Sequence, residues 1–179
     1  MTNKLLVVID MQHDFIDGSL QSQEAIAIVP KVVEKIKGWD GDIIATLDTH
    51  GADYLDTNEG KHLPVTHCQV GTQGHEWPAE IAAAFDEKDR QPLVIVKHTF
   101  GSTSLPEKIL SNQYDYVEFI GLCTDICVVS NVLLTKAFCP EIDIVVDASC
   151  CAGVTPESHK AALTTMKMCQ IEVIGEANA

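Results

Sequence analysis

Positive charge is what this chain has least of: 12 Lys and Arg stand against 26 Asp and Glu, a formal net charge of −14 at pH 7. No basic stripe is present, and a surface of this sign repels nucleic-acid phosphates and anionic membranes, so neither is expected as a partner. Long apolar runs are missing as well. No window reaches the ~18 consecutive apolar residues of a membrane span. The opening run Lys4-Leu5-Leu6-Val7-Val8-Ile9-Asp10 has neither a full signal-peptide core nor a small-residue cleavage site, so a cytoplasmic protein is expected. The 7 cysteines are odd in number and lack the spacing of a disulfide framework, which a chain of 179 residues does not need. They are expected as reduced thiols, with the neighbours Cys150 and Cys151 as packing residues. Cys123 and Cys127 have no second cysteine pair of zinc-ribbon type behind them, which argues against a cysteine metal site. Linkers, internal repeats and low-complexity segments are all absent, so residues 1–179 read as a single domain with one large core.

What is present is an alternation of strands and helices. Lys4 to Ile9 is a continuous apolar run, the pattern of a strand covered on both faces. Apolar residues at 26, 29, 32, 33 and 36 give a helix, and Asp42 to Leu47 a second strand. The segment from Gly51 to Pro78 is polar and without periodicity, and loops this long in compact domains are usually functional. Pro78 opens a helix through Phe85, Leu93 to Val96 is a third strand, and Pro106 to Leu110 a short helix. Tyr116 to Ile120 is a fourth strand, followed by a turn and a helix opening at Cys127 and ending near Pro140. Ile142 to Val146 is a fifth strand, Thr155-Pro156 caps a helix reaching about Met168, and Ile171 to Ile174 is the sixth strand. This order predicts an α/β fold with a parallel sheet, helices on both faces and right-handed crossovers.

The reactive side chains fall at strand exits. Asp10, Asp48 with His50, Lys97 and Cys127 each follow a strand, and ligands of open α/β sheets gather at those carboxyl ends. Cys127 reads in two ways. A thiol in the first turn of a helix meets unpaired N–H groups and the positive dipole end, which favours thiolate. Equally, free cysteine is a small hydrophobe that often fills a strand-to-helix joint. The coincidence of Cys127 with a cation and a carboxylate favours the first: Lys97 would depress the thiol pKa, and Asp10 would carry its proton. Asp48, His50, Glu59 and His67 form a second set whose mixed imidazole and carboxylate donors suit zinc or another first-row divalent ion. His62 is the alternative to Glu59, and His75 reads as a loop histidine bonded to backbone.

These residues carry a resemblance. Val7-Val8-Ile9-Asp10-Met11-Gln12-His13-Asp14-Phe15, Leu47-Asp48-Thr49-His50, His67-Cys68-Gln69-Val70-Gly71-Thr72, Lys97 with Phe100-Gly101-Ser102, and Gly121-Leu122-Cys123-Thr124-Asp125-Ile126-Cys127-Val128 together look like the isochorismatase-like cysteine hydrolases. Within that superfamily the chain resembles nicotinamidases, and the similarity spans almost its whole length. The resemblance implies a three-layer α/β/α, Rossmann-like architecture around a six-stranded parallel sheet. It implies a triad of Asp10, Lys97 and Cys127, and a cis peptide before Cys123 that lets the backbone N–H groups of Cys123 and Cys127 form an oxyanion hole. Asp48, His50 and His67 match the family's metal ligands, with Glu59 as the fourth, and the ion would be Zn, with Fe or Mn as alternatives. Phe15 matches the aromatic that flanks the pyridine ring, and Trp77 would add to that wall. The implied reaction is hydrolysis of nicotinamide to nicotinate and ammonia in NAD salvage, and family members often self-associate as homo-oligomers. One departure stands out: Leu63-Pro64-Val65-Thr66 lies where nicotinamidases often carry Trp or Phe and two prolines. The alternatives are an amidase of the same superfamily acting on a carbamoyl or ureido small molecule, and a non-catalytic ligand-binding member of the fold.

Overall fold

The computed structural model describes residues 3–87 and 91–176. Its core is one parallel sheet of six strands, β1 Lys4–Ile9, β2 Asp42–Asp48, β3 Leu93–Lys97, β4 Tyr116–Leu122, β5 Asp143–Ala152 and β6 Glu172–Ile174, in the order β3-β2-β1-β4-β5-β6. The helices are α1 His13–Ile16, α2 Gln23–Gly38, α3 Asn58–His62, α4 Ala79–Asp86, α5 Ser104–Ser111, α6 Val129–Phe138 and α7 Pro156–Met168. Among the described residues no helix is long and apolar enough to cross a membrane.

Each strand divides its side chains between two cores, as the pleat requires. Leu5, Val7 and Ile9 pack with Leu105 and Ile109 of α5, Val132 of α6 and Leu163 of α7. Leu6 and Val8 pack on the other face with Val29 and Val32 of α2 and Ile81 and Phe85 of α4. That second face also buries charge. Lys35 of α2 lies 2.6 Å from Glu118 of β4 and 2.8 Å from Asp147 of β5, and the Tyr116 hydroxyl donates to Glu118 at 2.8 Å.

Local differences from the sequence reading have local causes. The 51–78 segment is not irregular: it holds α3 and two single 3-10 turns, Tyr54–Asp56 and Gln73–His75. Between Tyr54 and His62 side-chain bonds, rather than apolar periodicity, hold the turn to the helix. Thr57 accepts from the Gly60 N–H at 3.0 Å and donates to the Tyr54 carbonyl at 2.7 Å. Helix α2 starts earlier than its apolar pattern, because Ser22 caps it by accepting from the Ala25 N–H. Strand β5 continues past Val146 to Ala152, its register against β4 shifting between Phe119 and Gly121. The chain at Cys127 opens as a π-helical turn, Thr124–Val128, before α6 begins. All seven cysteines are free, and Cys150 and Cys151 are buried.

Candidate active site

The strand order changes direction between β1 and β4, and in doubly wound sheets this is where a cleft opens at the carboxyl edge. Across that edge the order β3-β2-β1-β4 lays out Lys97, Asp48, Asp10 and the turn carrying Cys127. Strands β1 and β4 run close here. A Cβ at Gly121, whose φ is +117°, would lie 2.1 Å from the Ile9 carbonyl oxygen, so only glycine fits. The next peptide bond but one, Leu122-Cys123, is cis. The following turn is closed by the Val128 N–H donating back to the Cys123 carbonyl at 3.0 Å. Asp125 of that turn accepts from the Val154 N–H, and Thr124 shares a 2.8 Å hydrogen bond with His159 of α7.

Lys97 is the hub. Its Nζ lies 2.7 Å from Asp10 Oδ2, 3.0 Å from Asp48 Oδ1 and 3.5 Å from Cys127 Sγ, with its side chain only 1% exposed. Burial penalises the ammonium, but Asp10, Cys127 and Asp48 outweigh it and hold the Lys97 pKa above its ordinary value. Asp10 goes the other way from a typical ion-paired carboxylate. Burial, helped by Asp48, raises its pKa despite Lys97. Thr46 fixes its orientation, donating to Asp10 Oδ1 at 2.6 Å and accepting from its N–H at 3.2 Å.

The thiol corrects the sequence-based expectation of a depressed pKa. Burial and then the Asp10 carboxylate push Cys127 well above the ordinary cysteine value, and Lys97 offsets this only in part. Helix position argued for thiolate, but position in sequence carries no information about desolvation, which dominates here. Burial thus works against the thiolate that the helix position favours, and Lys97 is the charge that opposes it.

Asp48 joins this hub to the second set of residues. Its Oδ2 lies 2.9 Å from His50 Nε2 and 3.4 Å from His67 Nε2, and Glu59 Oε1 lies 3.7 Å from both imidazoles. One ligand atom from each of Asp48, His50, Glu59 and His67 lies within 4.8 Å of all the others. His67 bonds through Nδ1 to the Val65 carbonyl at 2.9 Å, which leaves Nε2 facing the cluster, as in metal-bound histidines. Two imidazoles and two carboxylates fit a first-row divalent ion of the zinc kind. His62 turns away, exposed and bonded to the Asn58 carbonyl at 2.8 Å. His75 bonds to the Thr49 hydroxyl rather than to the cluster.

The structure brings Phe15 to this cluster, its ring 5.7 Å from His67 and edge-on. Trp77 meets Phe85 of α4 at a tilt, ring centroids 4.9 Å apart. Sequence reasoning missed Tyr54, whose buried ring lies 4.6 Å from His50 and 5.0 Å from His67 and whose hydroxyl donates to the Leu63 carbonyl. It also gave no role to Gln12, which donates to the Asp48 and His75 carbonyls and accepts from the Asp48 N–H, locking the β1 and β2 exits together. Asp14 likewise accepts from the Cys68 N–H at 2.7 Å and so anchors the loop that carries His67. A polar side chain bonded to distant backbone leaves no periodic signal by which a single sequence reveals it.

A doubly wound sheet with thiol, carboxylate and ammonium meeting at its switch point, beside a four-donor cluster, defines a class of α/β hydrolytic sites. Residues 4–178 match the model of the isochorismatase domain, and the chain belongs to that family. It is similar to the crystal structure of nicotinamidase/pyrazinamidase PncA from Bacillus subtilis, 25% identical over 96% of this chain and 99% of that one, with a TM-score of 0.84. It is also similar to pyrazinamidase/nicotinamidase from Streptococcus mutans, 26% identical over 96% and 100%, TM-score 0.84. The pyrazinamidase of Pyrococcus horikoshii, solved in complex with zinc, is 25% identical over 97% and 99%, TM-score 0.80.

Proposed function

We propose that the protein is a nicotinamidase-type cysteine amidohydrolase that converts nicotinamide to nicotinate and ammonia, a step of NAD salvage. Family membership and its nicotinamidase relatives make it a hydrolase of an amide C–N bond. The observation that carries the finer reading is Lys97 Nζ set between Asp10 at 2.7 Å and Cys127 Sγ at 3.5 Å, next to the four-donor cluster.

In this reading Cys127 Sγ attacks the carboxamide carbon while its proton passes to Asp10, whose raised pKa suits an acceptor that must later return the proton. The backbone N–H groups of Cys123 and Cys127 receive the developing oxyanion. Asp10 then protonates the amide nitrogen, the C–N bond breaks and ammonia leaves, giving a thioester. Water attacks the thioester carbon as Asp10 takes its proton. The C–S bond breaks, the proton returns to sulfur, and the acid is released. Lys97 stays charged and compensates Asp10 throughout. A divalent ion, zinc by its donor set, held by Asp48, His50, Glu59 and His67 would supply a Lewis-acidic anchor for the substrate. Phe15 would flank the ring.

The test is ammonia release from nicotinamide by the metal-loaded protein, with Cys127→Ala as control. Release that vanishes in the variant while folding and metal content persist supports the reading; equal release from the variant refutes the nucleophile. A second reading, a carbamoyl or ureido amide as substrate, is favoured by one observation. Trp77 packs on Phe85 and residues 63–66 bring no aromatic ring, so the aromatics beside the four-donor cluster are Phe15 and Tyr54, the latter with its hydroxyl bonded to the Leu63 carbonyl. A folded, metal-loaded protein that ignores nicotinamide and hydrolyses a ureido compound would favour that reading.

A further inference from the structure

Lys97 ends β3 and Cys127 lies in the turn after β4, and two strands, β2 and β1, stand between them in the sheet. No ladder hydrogen bond relates the two directly, yet their side chains must meet. One buried side chain spans the gap. Asn131 of α6, fully buried and one helical turn after Cys127, donates through Nδ2 to the Cys127 carbonyl at 2.8 Å and to the Phe100 carbonyl at 3.0 Å. Its Oδ1 accepts from the Ser102 N–H at 2.9 Å. Phe100 and Ser102 belong to the segment that leaves Lys97, so the same amide holds the backbone of Cys127 and the backbone of the segment that follows Lys97. The segment's other flank is fixed where His98 Nδ1 bonds to the Thr49 carbonyl at 2.9 Å. A Cβ added at Gly101 would lie 3.5 Å from Ser130 Cβ of α6, at ordinary van der Waals distance.

We propose that Asn131 is a positioning residue for amide hydrolysis: it ties the 98–102 segment to the nucleophile turn and thereby sets the distance between Lys97 and Cys127. The proposal rests on the cysteine-hydrolase reading above, and a substrate-free measurement separates the two. Asparagine is suited to the task because its amide offers two donors and an acceptor at once. Threonine at this position would keep only a bond to the carbonyl four residues back, and leucine would keep none.

The experiment compares wild type, Asn131→Thr and Asn131→Leu, all metal-loaded, by kcat and KM on nicotinamide, by the rate of Cys127 alkylation with iodoacetamide, and by thermal melting. Misplacement of reacting groups by about 1 Å costs up to ~100-fold. A kcat lowered roughly 10- to 100-fold with KM changed less than about threefold is therefore expected in the folded Asn131→Thr variant. Alkylation is expected to slow by about fivefold or more, because the ammonium no longer accompanies the sulfur. Folded variants with wild-type kcat and alkylation rate overturn the proposal, as does a loss that only tracks the unfolded fraction. If Asn131→Leu fails to fold, Asn131→Thr decides. If wild type leaves nicotinamide untouched, the substrate reading fails while alkylation still judges Asn131: slowed alkylation supports the tie and an unchanged rate rejects it.

Discussion

Replacing Lys97 by Met keeps the length of the side chain and removes the one cation among Asp10, Asp48 and Cys127. The loss can be sized from burial. Asp10 is 0% and the Asp48 side chain 5% exposed, so water cannot take over from the ammonium. Removing one partner from such a buried arrangement costs about 3–5 kcal/mol. For a chain of this size that is a melting temperature lower by roughly 6–20 °C. Turnover should fall by about 10²- to 10³-fold, the usual size of a lost electrostatic contact at a reacting centre. The pH dependence has a definite sign. Without Lys97 the already raised Asp10 pKa climbs further. A carboxyl with a raised folded pKa destabilises the fold fully above that pKa, and the penalty fades as pH falls toward the unfolded value near ~3.9. Wild type carries a smaller penalty of the same kind, so in metal-free buffer the melting gap between it and Lys97→Met should be full above the variant's Asp10 pKa and narrow as pH falls from there toward wild type's. A gap that widens on acidification, or a variant with wild-type turnover, would refute the assignment of Lys97 as counter-charge to Asp10.

Three further outcomes follow from other parts of the molecule. Glu59→Ala should weaken divalent-metal binding by at least about tenfold in calorimetric titration, whereas His62→Ala should leave it unchanged; the reverse pattern would move the fourth ligand. Lys35→Met strands Glu118 and Asp147 and should cost about 3 kcal/mol by denaturant melts, the low end for a pair whose cation is a quarter exposed. In wild type, Lys35 and Ser149 hold Asp147 below its ordinary pKa against the penalty of burial. This contribution is present above the unfolded carboxyl pKa and is lost as pH falls through the folded one. The deficit of Lys35→Met should thus shrink in acid, and a deficit independent of pH would argue for a packing role alone.

The parts of the fold legible in sequence were those written in apolar spacing. Lys4 to Ile9 could only be a doubly covered strand, and once the strands were set, Asp10, Asp48, Lys97 and Cys127 had to share one edge. Three features were not legible for distinct reasons. Helix α3 forms around Thr57 and Tyr54, by hydrogen bonds that apolar periodicity does not encode. The π-helical turn depends on a bond from Val128 back to Cys123, a register that residue propensity does not distinguish from an α-helical one. The charge state of Cys127 depends on how deeply it is buried and how near Asp10 comes, both products of long-range packing.

The way the site is divided along the chain also has an evolutionary consequence. Asp10, Lys97 and Cys127 ride on the ends of strands or the turn beyond them, while Glu59 and His67 ride on the 51–78 excursion, with Asp48 at its root. In the proposed function, bond cleavage and substrate anchoring would thus fall on largely separate stretches of sequence, joined through Asp48, which lies 3.0 Å from Lys97 Nζ. On that proposal, insertions or replacements in the excursion would retune which amide is held while leaving Asp10, Lys97 and Cys127 in place, so one scaffold would diverge in diet while keeping its chemistry.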